Sequence, residues 1–262
     1  MKCSNILDNL LKIMPKELAM SWDNVGLLAG SKDKEVKNIV VCLDVSEKLI
    51  EKAVSLKADL IISHHPMIFS PVKSVTDDTS VGRRLLSLIK NDISYIALHT
   101  NYDIAPGCMS DLVAERIGLK GEPLEKTASM EDTVVGIGKV GDLVSAVKIS
   151  EIAELIKEKF NLPHLRIFDG GEDKKVSRIA LSPGSGKGMF NAAYEKQASL
   201  LISGDISHHD ALDALELGVA TIDAGHYGLE HIFIADMAKR LRDMDKAFTI
   251  FEEDITFPDR IA

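Results

Sequence analysis

The sequence predicts an α/β protein made of two related α/β halves, and three observations carry that prediction. Apolar runs of about five residues alternate with amphipathic stretches, the pattern of strand and helix units in a parallel sheet. A segment of each half matches the other: Lys57-Ala58-Asp59-Leu60-Ile61-Ile62-Ser63-His64 aligns with Gln197-Ala198-Ser199-Leu200-Leu201-Ile202-Ser203-Gly204, with earlier strands at Ile39 and Ile179. Seven of the eight histidines fall just beyond predicted strands. In open α/β sheets those carboxyl ends are where ligands bind. The internal echo has a plainer reading too, since one strand-helix-strand unit resembles another.

In chain order, Leu7, Leu10, Leu11 and Ile13-Met14 recur at helical spacing after Ser4, which can cap, so a short helix opens the chain and Pro15 ends it. Strands are expected at Ile39 to Leu43, Leu60 to Ser63, Tyr95 to Leu98, Ile179 to Ser182, Leu200 to Ser203 and Ala220 to Asp223. Helices are expected at Glu47 to Leu56, Gly82 to Lys90, Phe190 to Lys196 and Asp210 to Leu217. A junction from Thr133 to Leu165 holds a Gly-rich strand (Val134 to Val140) and a helix (Ser150 to Phe160), followed by a strand near Leu165 to Phe168. The first half is placed at residues 1–125 and the second at 126–262, the two facing each other across the strand ends.

Composition narrows the function. Apolar residues are 45% and charged residues 27% of 262, so a full core can be buried. Lys plus Arg total 31 against 40 Asp plus Glu, a net charge of −9, which opposes binding to nucleic acid or an anionic membrane. Cys3, Cys42 and Cys108 form no Cys-x-x-Cys pair and no disulfide framework. With no apolar leader and no long apolar run, the expectation is a cytoplasmic protein.

The chemistry gathers at strand ends. His64 and His65 follow Leu60 to Ser63 and precede Pro66, which keeps His65 extended. His99 and Asp103 are four apart after a second strand, and His226 and Glu230 are four apart at the start of a helix carrying Ile232, Ala235, Met237 and Leu241. Each pair alone also reads as ordinary structure: a hydrogen-bonded histidine, an Asp capping a helix, a Glu in a first turn. Together, His64, His65, Asp103, His226 and Glu230 supply three imidazoles and two carboxylates, a set suited to two divalent ions sharing a bridging carboxylate. Zinc, manganese, iron, cobalt and nickel all accept such donors. His99, Asp205, His208 and His209 are candidates to stand behind the ligands or to touch substrate, with His99 an orienting group or proton shuttle. Pro183-Gly184-Ser185-Gly186-Lys187-Gly188 fails the phosphate-loop template, because Gly188 stands where Ser or Thr is required, and reads as a strand-to-helix turn.

His64-His65-Pro66, His99-Thr100-Asn101-Tyr102-Asp103, Gly204-Asp205-Ile206-Ser207-His208-His209-Asp210-Ala211 and Asp223-Ala224-Gly225-His226-Tyr227-Gly228-Leu229-Glu230, with Trp22-Asp23-Asn24-Val25-Gly26-Leu27, resemble the motifs of the dinuclear-metal-centre family known as Nif-three-like proteins or GTP cyclohydrolase I type 2 homologues. The resemblance implies a toroidal homohexamer of two-lobed subunits, each with a two-metal site whose ligands match His64, His65, Asp103, His226 and Glu230. It also implies the short form of that family, without the domain that longer members insert between the halves.

Two functions follow as expectations. The first is a metal-dependent hydrolase acting on a nucleotide or other small phosphorylated substrate, with GTP nominated by the family name. The second is a non-enzymatic metal-binding, metal-handling or regulatory protein, since no catalytic base separate from the ligands is nominated by the sequence.

Overall fold

Strands form where the sequence places its short apolar runs. The structure, a computed structural model, describes residues 1–130 and 132–258. Contacts group the chain into two compact units: Met1–Tyr102 with Phe233–Ile255, and Asp103–Ile232 with the residues from Thr256 on. These units differ from contiguous halves at 1–125 and 126–262. Two pairings account for this: a late strand, Thr249–Glu252, returns to Asn38–Cys42, and Lys120–Glu122 pairs with Lys139–Lys148.

The first unit is a five-stranded sheet in the order Gly26–Ala29, Ser94–Ala97, Leu60–Ser63, Asn38–Cys42, Thr249–Glu252. The last four run parallel and the first is antiparallel. One face, with Val40, Cys42, Ile61 and Tyr95, packs on Leu49, Ile50 and Ala53 of helix Glu47–Ser55 and Leu85 and Leu88 of helix Ser80–Lys90. Both helices begin at the side chain that ends the preceding loop: Ser46 accepts from the Leu49 amide and Thr79 from the Gly82 amide. The register aligns Cys42 with Ser63 and Ser63 with Ala97, so three strands end level.

The second unit is a six-stranded sheet in the order Lys120–Glu122, Lys139–Lys148, Lys175–Ser185, Leu200–Gly204, Ala220–Asp223, Arg166–Phe168. Only its third, fourth and fifth members are parallel. A separate hairpin pairs Glu125–Met130 with Thr133–Ile137.

Six of the expected parallel strands are present, but the sheets are mixed rather than purely parallel. Antiparallel edge strands need no helical crossover, so they carry no strand-helix alternation to betray them. The expected Val134 to Val140 strand is two strands broken at Gly138, whose φ of +65° turns the chain. The opening helix is Cys3–Ile13, with Ser4 inside it and Lys2 before it. No capping side chain is needed there, because the Lys34 and Lys32 carbonyls accept from the Cys3 and Ser4 amides at 2.9 Å. The echo between the halves has a local cause: Lys57 and Gln197 both adopt positive φ, and Ala58 and Ala198 bond back to Ala53 and Ala193, a helix-to-strand link that Asp92 repeats with Ile93 and Leu88. No helix among the described residues is long and apolar enough to cross a membrane.

Tyr95 fastens the tip of the Leu60–Ser63 strand. Its hydroxyl accepts from the Met67 amide at 2.8 Å, donates to the His65 carbonyl at 3.1 Å and lies 2.8 Å from the Ser63 hydroxyl. Tyr95→Phe should therefore leave a buried amide without its partner and lower stability by about 1–3 kcal/mol in denaturant unfolding. A change within error would mean that the His64-His65-Pro66 turn holds its shape without this hydroxyl.

Candidate metal centre

In the first unit, the level strand ends place Asp44, His65 and His99 each two residues past an aligned residue, and His64 one residue past. The His64, His65 and His99 rings gather with centroids 5.0 to 5.6 Å apart. One potential ligand atom from each lies within 4.8 Å of the others.

Every one of these rings is held through Nδ1. His64 Nδ1 is 2.9 Å from the Leu98 carbonyl, His65 Nδ1 is 2.9 Å from Asp44, and His99 Nδ1 is 2.9 Å from Asp23. Carbonyl and carboxylate oxygens only accept, so Nδ1–H donates in each case and the lone pair resides on Nε2. That is the orientation and tautomer of metal-ligating histidine. Burial alone would push the Asp23 carboxyl up. Bonds from His99, from the Thr100 hydroxyl and from the Thr100 amide outweigh it and hold the pKa at about 2 rather than 3.8. Asp23 is consequently an anion throughout the range in which imidazole titrates, and its stabilising contribution is complete above 3.8 and lost only as pH falls through about 2.

In the second unit, helix His226–Glu230 puts its two end residues four apart on one face. His226 Nδ1 lies 2.8 Å from Asp205, and its Nε2 lies 3.1 Å from Glu230. A carboxylate oxygen of Glu230, a residue only 2% exposed, is also within 4.8 Å of one from Asp103 on helix Thr100–Ile104. Two carboxylate oxygens that close, with His226 Nε2 3.1 Å from the buried one, form a cluster that a cation would stabilise. Gly184, with φ of +77°, makes room for the buried acid: a Cβ there would sit 2.4 Å from Glu230 Oε1 and 3.4 Å from His226 Nε2. Asp223 braces the surrounding loops by pairing with Arg166 and accepting from the Ile206 and Gly225 amides at 3.1 and 2.9 Å.

These donors fit a divalent ion of borderline character. Imidazoles with committed Nδ1 atoms, together with carboxylates, are the ligands such ions take. Asp205→Ala should weaken metal affinity by about 10–100-fold while changing stability little, because the side chain is largely exposed and its bond is to His226 Nδ1. Competition against a colorimetric chelator measures this, and an unchanged affinity would show that His226 needs no orienting partner.

Among the described residues, His208, His209 and His231 are not members of these ligand groups. His208 and His209 are exposed at the first turn of helix His208–Glu216, whose Ser207 cap accepts from the Asp210 amide. His231 is buried among Tyr227, Phe160 and Phe257 rather than grouped with His226, and that burial lowers its pKa. The sequence reading missed Asp44 and the orienting part played by Asp23. Strand register was the signal for Asp44, because it stands two residues past Cys42 as His65 stands two past Ser63. The Pro183 to Gly188 segment is the end of a strand and a turn into helix Met189–Glu195, as expected, but it also houses Glu230.

Residues 1–257 match the sequence profile of the Duf34/NIF3 (NGG1p interacting factor 3) family. The chain is 35% identical over 257 residues to a Clostridium perfringens protein named GTP cyclohydrolase 1 type 2 homolog, covering 97% of each. It superposes on a Bacillus cereus protein related to NIF3 with a TM-score of 0.91, 25% identity and coverage of 100% of this chain and 99% of that one. A Staphylococcus aureus hypothetical protein gives a TM-score of 0.88 at 30% identity, with the same coverage. Profile, relatives and solved structures agree over nearly the whole length, and the chain belongs to the Duf34/NIF3 family.

Proposed function

We propose that His64, His65, Asp103, His226 and Glu230 hold two divalent ions and that the protein is a metal-dependent hydrolase of a small phosphorylated or nucleotide-like substrate. The observation that carries the reading is the set of Nδ1 bonds, from His64 to Leu98, His65 to Asp44 and His226 to Asp205, which turns each imidazole into a donor at Nε2. Bound ions would supply an acidified water and positive charge for an anionic substrate. Asp44 and Asp205 keep His65 and His226 in one tautomer, so neither ring must reorganise when substrate arrives. Glu230, buried in the space left by Gly184, keeps its carboxylate away from solvent. His99, whose Nδ1 proton is committed to Asp23, can accept a proton at Nε2.

Three neutral imidazoles and two carboxylates offset only half the charge of two divalent ions, so the loaded site favours anions despite the net charge of −9. The relatives' name, GTP cyclohydrolase 1 type 2 homolog, nominates GTP as the first substrate to try. Cytoplasmic location and a homohexameric assembly, the latter from the family resemblance, belong to the same proposal, and light scattering on the eluting protein reads the second.

The deciding experiment measures metal content and turnover of GTP and simple phosphoesters by wild type and Asp103→Asn. About two equivalents of metal and turnover that falls at least about 100-fold in the variant are expected. Equal turnover in the two proteins would remove this site from the reaction, and metal binding with no turnover of any substrate would favour the metal-handling reading.

A further inference from the structure

Trp22 is the chain's single tryptophan and is 53% exposed, and Phe69 is 55% exposed. Their ring centroids are 5.7 Å apart with planes tilted by 43°, and Trp22 meets the His99 ring edge-on at 6.0 Å. Two large aromatic rings this open, beside the imidazole cluster, are not explained by core formation.

The backbone beneath the rings is firmly held. Asn24 Nδ2 donates to the Ile68 carbonyl at 2.6 Å, which ties the Trp22 segment to the Phe69 segment. The Met20 amide donates to the Thr100 hydroxyl at 2.9 Å, the Asp23 amide to the Met20 carbonyl at 2.9 Å, and the Thr100 amide to Asp23 at 3.0 Å. Pinned backbone under exposed rings is a preorganised surface, which spares a ligand the cost of ordering it.

We propose that Trp22 and Phe69 form a stacking subsite for the planar heterocycle of the substrate, a purine base, beside His99. The inference rests on the nucleotide-like substrate reading and narrows it. Flat rings more than half exposed suit a flat π-system, because base-on-aromatic stacking needs only a face, whereas an aliphatic chain gains from a groove that encloses it. The His99 ring, in T-shaped contact with Trp22, sets a polar border to that platform.

Because Trp22 is unique, its emission reports on the subsite alone. Zinc-loaded wild type is titrated with GTP, guanosine and ribose 5-phosphate under selective tryptophan excitation. Saturable quenching by GTP and guanosine, none by ribose 5-phosphate, and roughly 10-fold weaker guanosine binding by Phe69→Ala at unchanged zinc content are expected. Phe69 is more than half exposed, so that truncation leaves the fold intact. Absence of saturable quenching by guanosine, or equal affinity in Phe69→Ala, would overturn the subsite. A spectral shift of Trp22 that follows protein concentration and is insensitive to guanosine would also overturn it, assigning the rings to a contact between copies. Turnover of ring-free phosphoesters without guanosine binding would remove the subsite and leave the hydrolase intact.

Discussion

Glu230→Ala is expected to lose most of the bound metal while the protein stays folded. Glu230 is 2% exposed, 3.1 Å from His226 Nε2 and within 4.8 Å of an Asp103 oxygen, so it is the acid that a cation between these groups would neutralise. Without metal, its removal relieves carboxylate crowding but also takes a partner from His226 Nε2, so the stabilities of the two apoproteins should differ little. With metal the two should diverge. At free metal 100-fold above the dissociation constant, a bound ion adds about 2.7 kcal/mol to wild-type stability. The variant should gain much less. Elemental analysis after dialysis should find about two equivalents in wild type and well under one in the variant. Full metal retention by Glu230→Ala would move the ligand set away from the His226–Glu230 helix, and a wild type that stays metal-free after reconstitution would end the metal reading altogether.

Gly184→Ala should reach the same site through the backbone. The position has φ of +77°, which costs a residue with a Cβ about 1 kcal/mol, and the added methyl would also meet Glu230 Oε1 at 2.4 Å. A total loss near 2–3 kcal/mol is expected, with metal affinity falling by about 10-fold or more as the carboxylate is displaced. Gly218→Ala is the matched control, since its φ is +81° and nothing lies within 4 Å of the new Cβ. The difference between the two variants isolates the contact with Glu230. Combining Gly184→Ala with Glu230→Ala should recover part of the loss, a coupling that only residues in contact show. Additive effects in that double mutant would mean that Gly184 serves the turn alone.

Much of this was legible beforehand, for identifiable reasons. Leu60 to Ser63 and Ala220 to Asp223 are apolar runs bounded by polar turns, and buried parallel strands of that kind announce themselves by composition. Histidines just past such strands point to a site because strand ends in one sheet share an edge. The edge strands Gly26–Ala29, Lys120–Glu122 and Thr249–Glu252 were not legible, because they are short and lack a following amphipathic helix of their own. Asp44 stayed hidden because its part depends on register, which follows only from knowing that Asn38–Cys42 and Leu60–Ser63 are neighbours. Gly184 read as a turn residue, since nothing in a local window reveals that a carboxylate from residue 230 will occupy the space its missing side chain leaves.

The return of Thr249–Glu252 to the first sheet dictates the timing of biogenesis. Strand Asn38–Cys42 leaves the ribosome early, yet the Leu43 amide meets its Glu253 partner 210 residues later in the chain. At translation rates of roughly 5–20 residues per second, that strand waits with one hydrogen-bonding edge uncovered for on the order of ten seconds or more. An uncovered parallel edge rich in valine and isoleucine invites pairing with another nascent chain. The first sheet can close only after the long second-unit segment Asp103–Ile232 has been synthesised. A ribosome-stalled or truncated chain ending before Thr249 should therefore be a substrate for chaperones, because its first sheet still awaits the last strand.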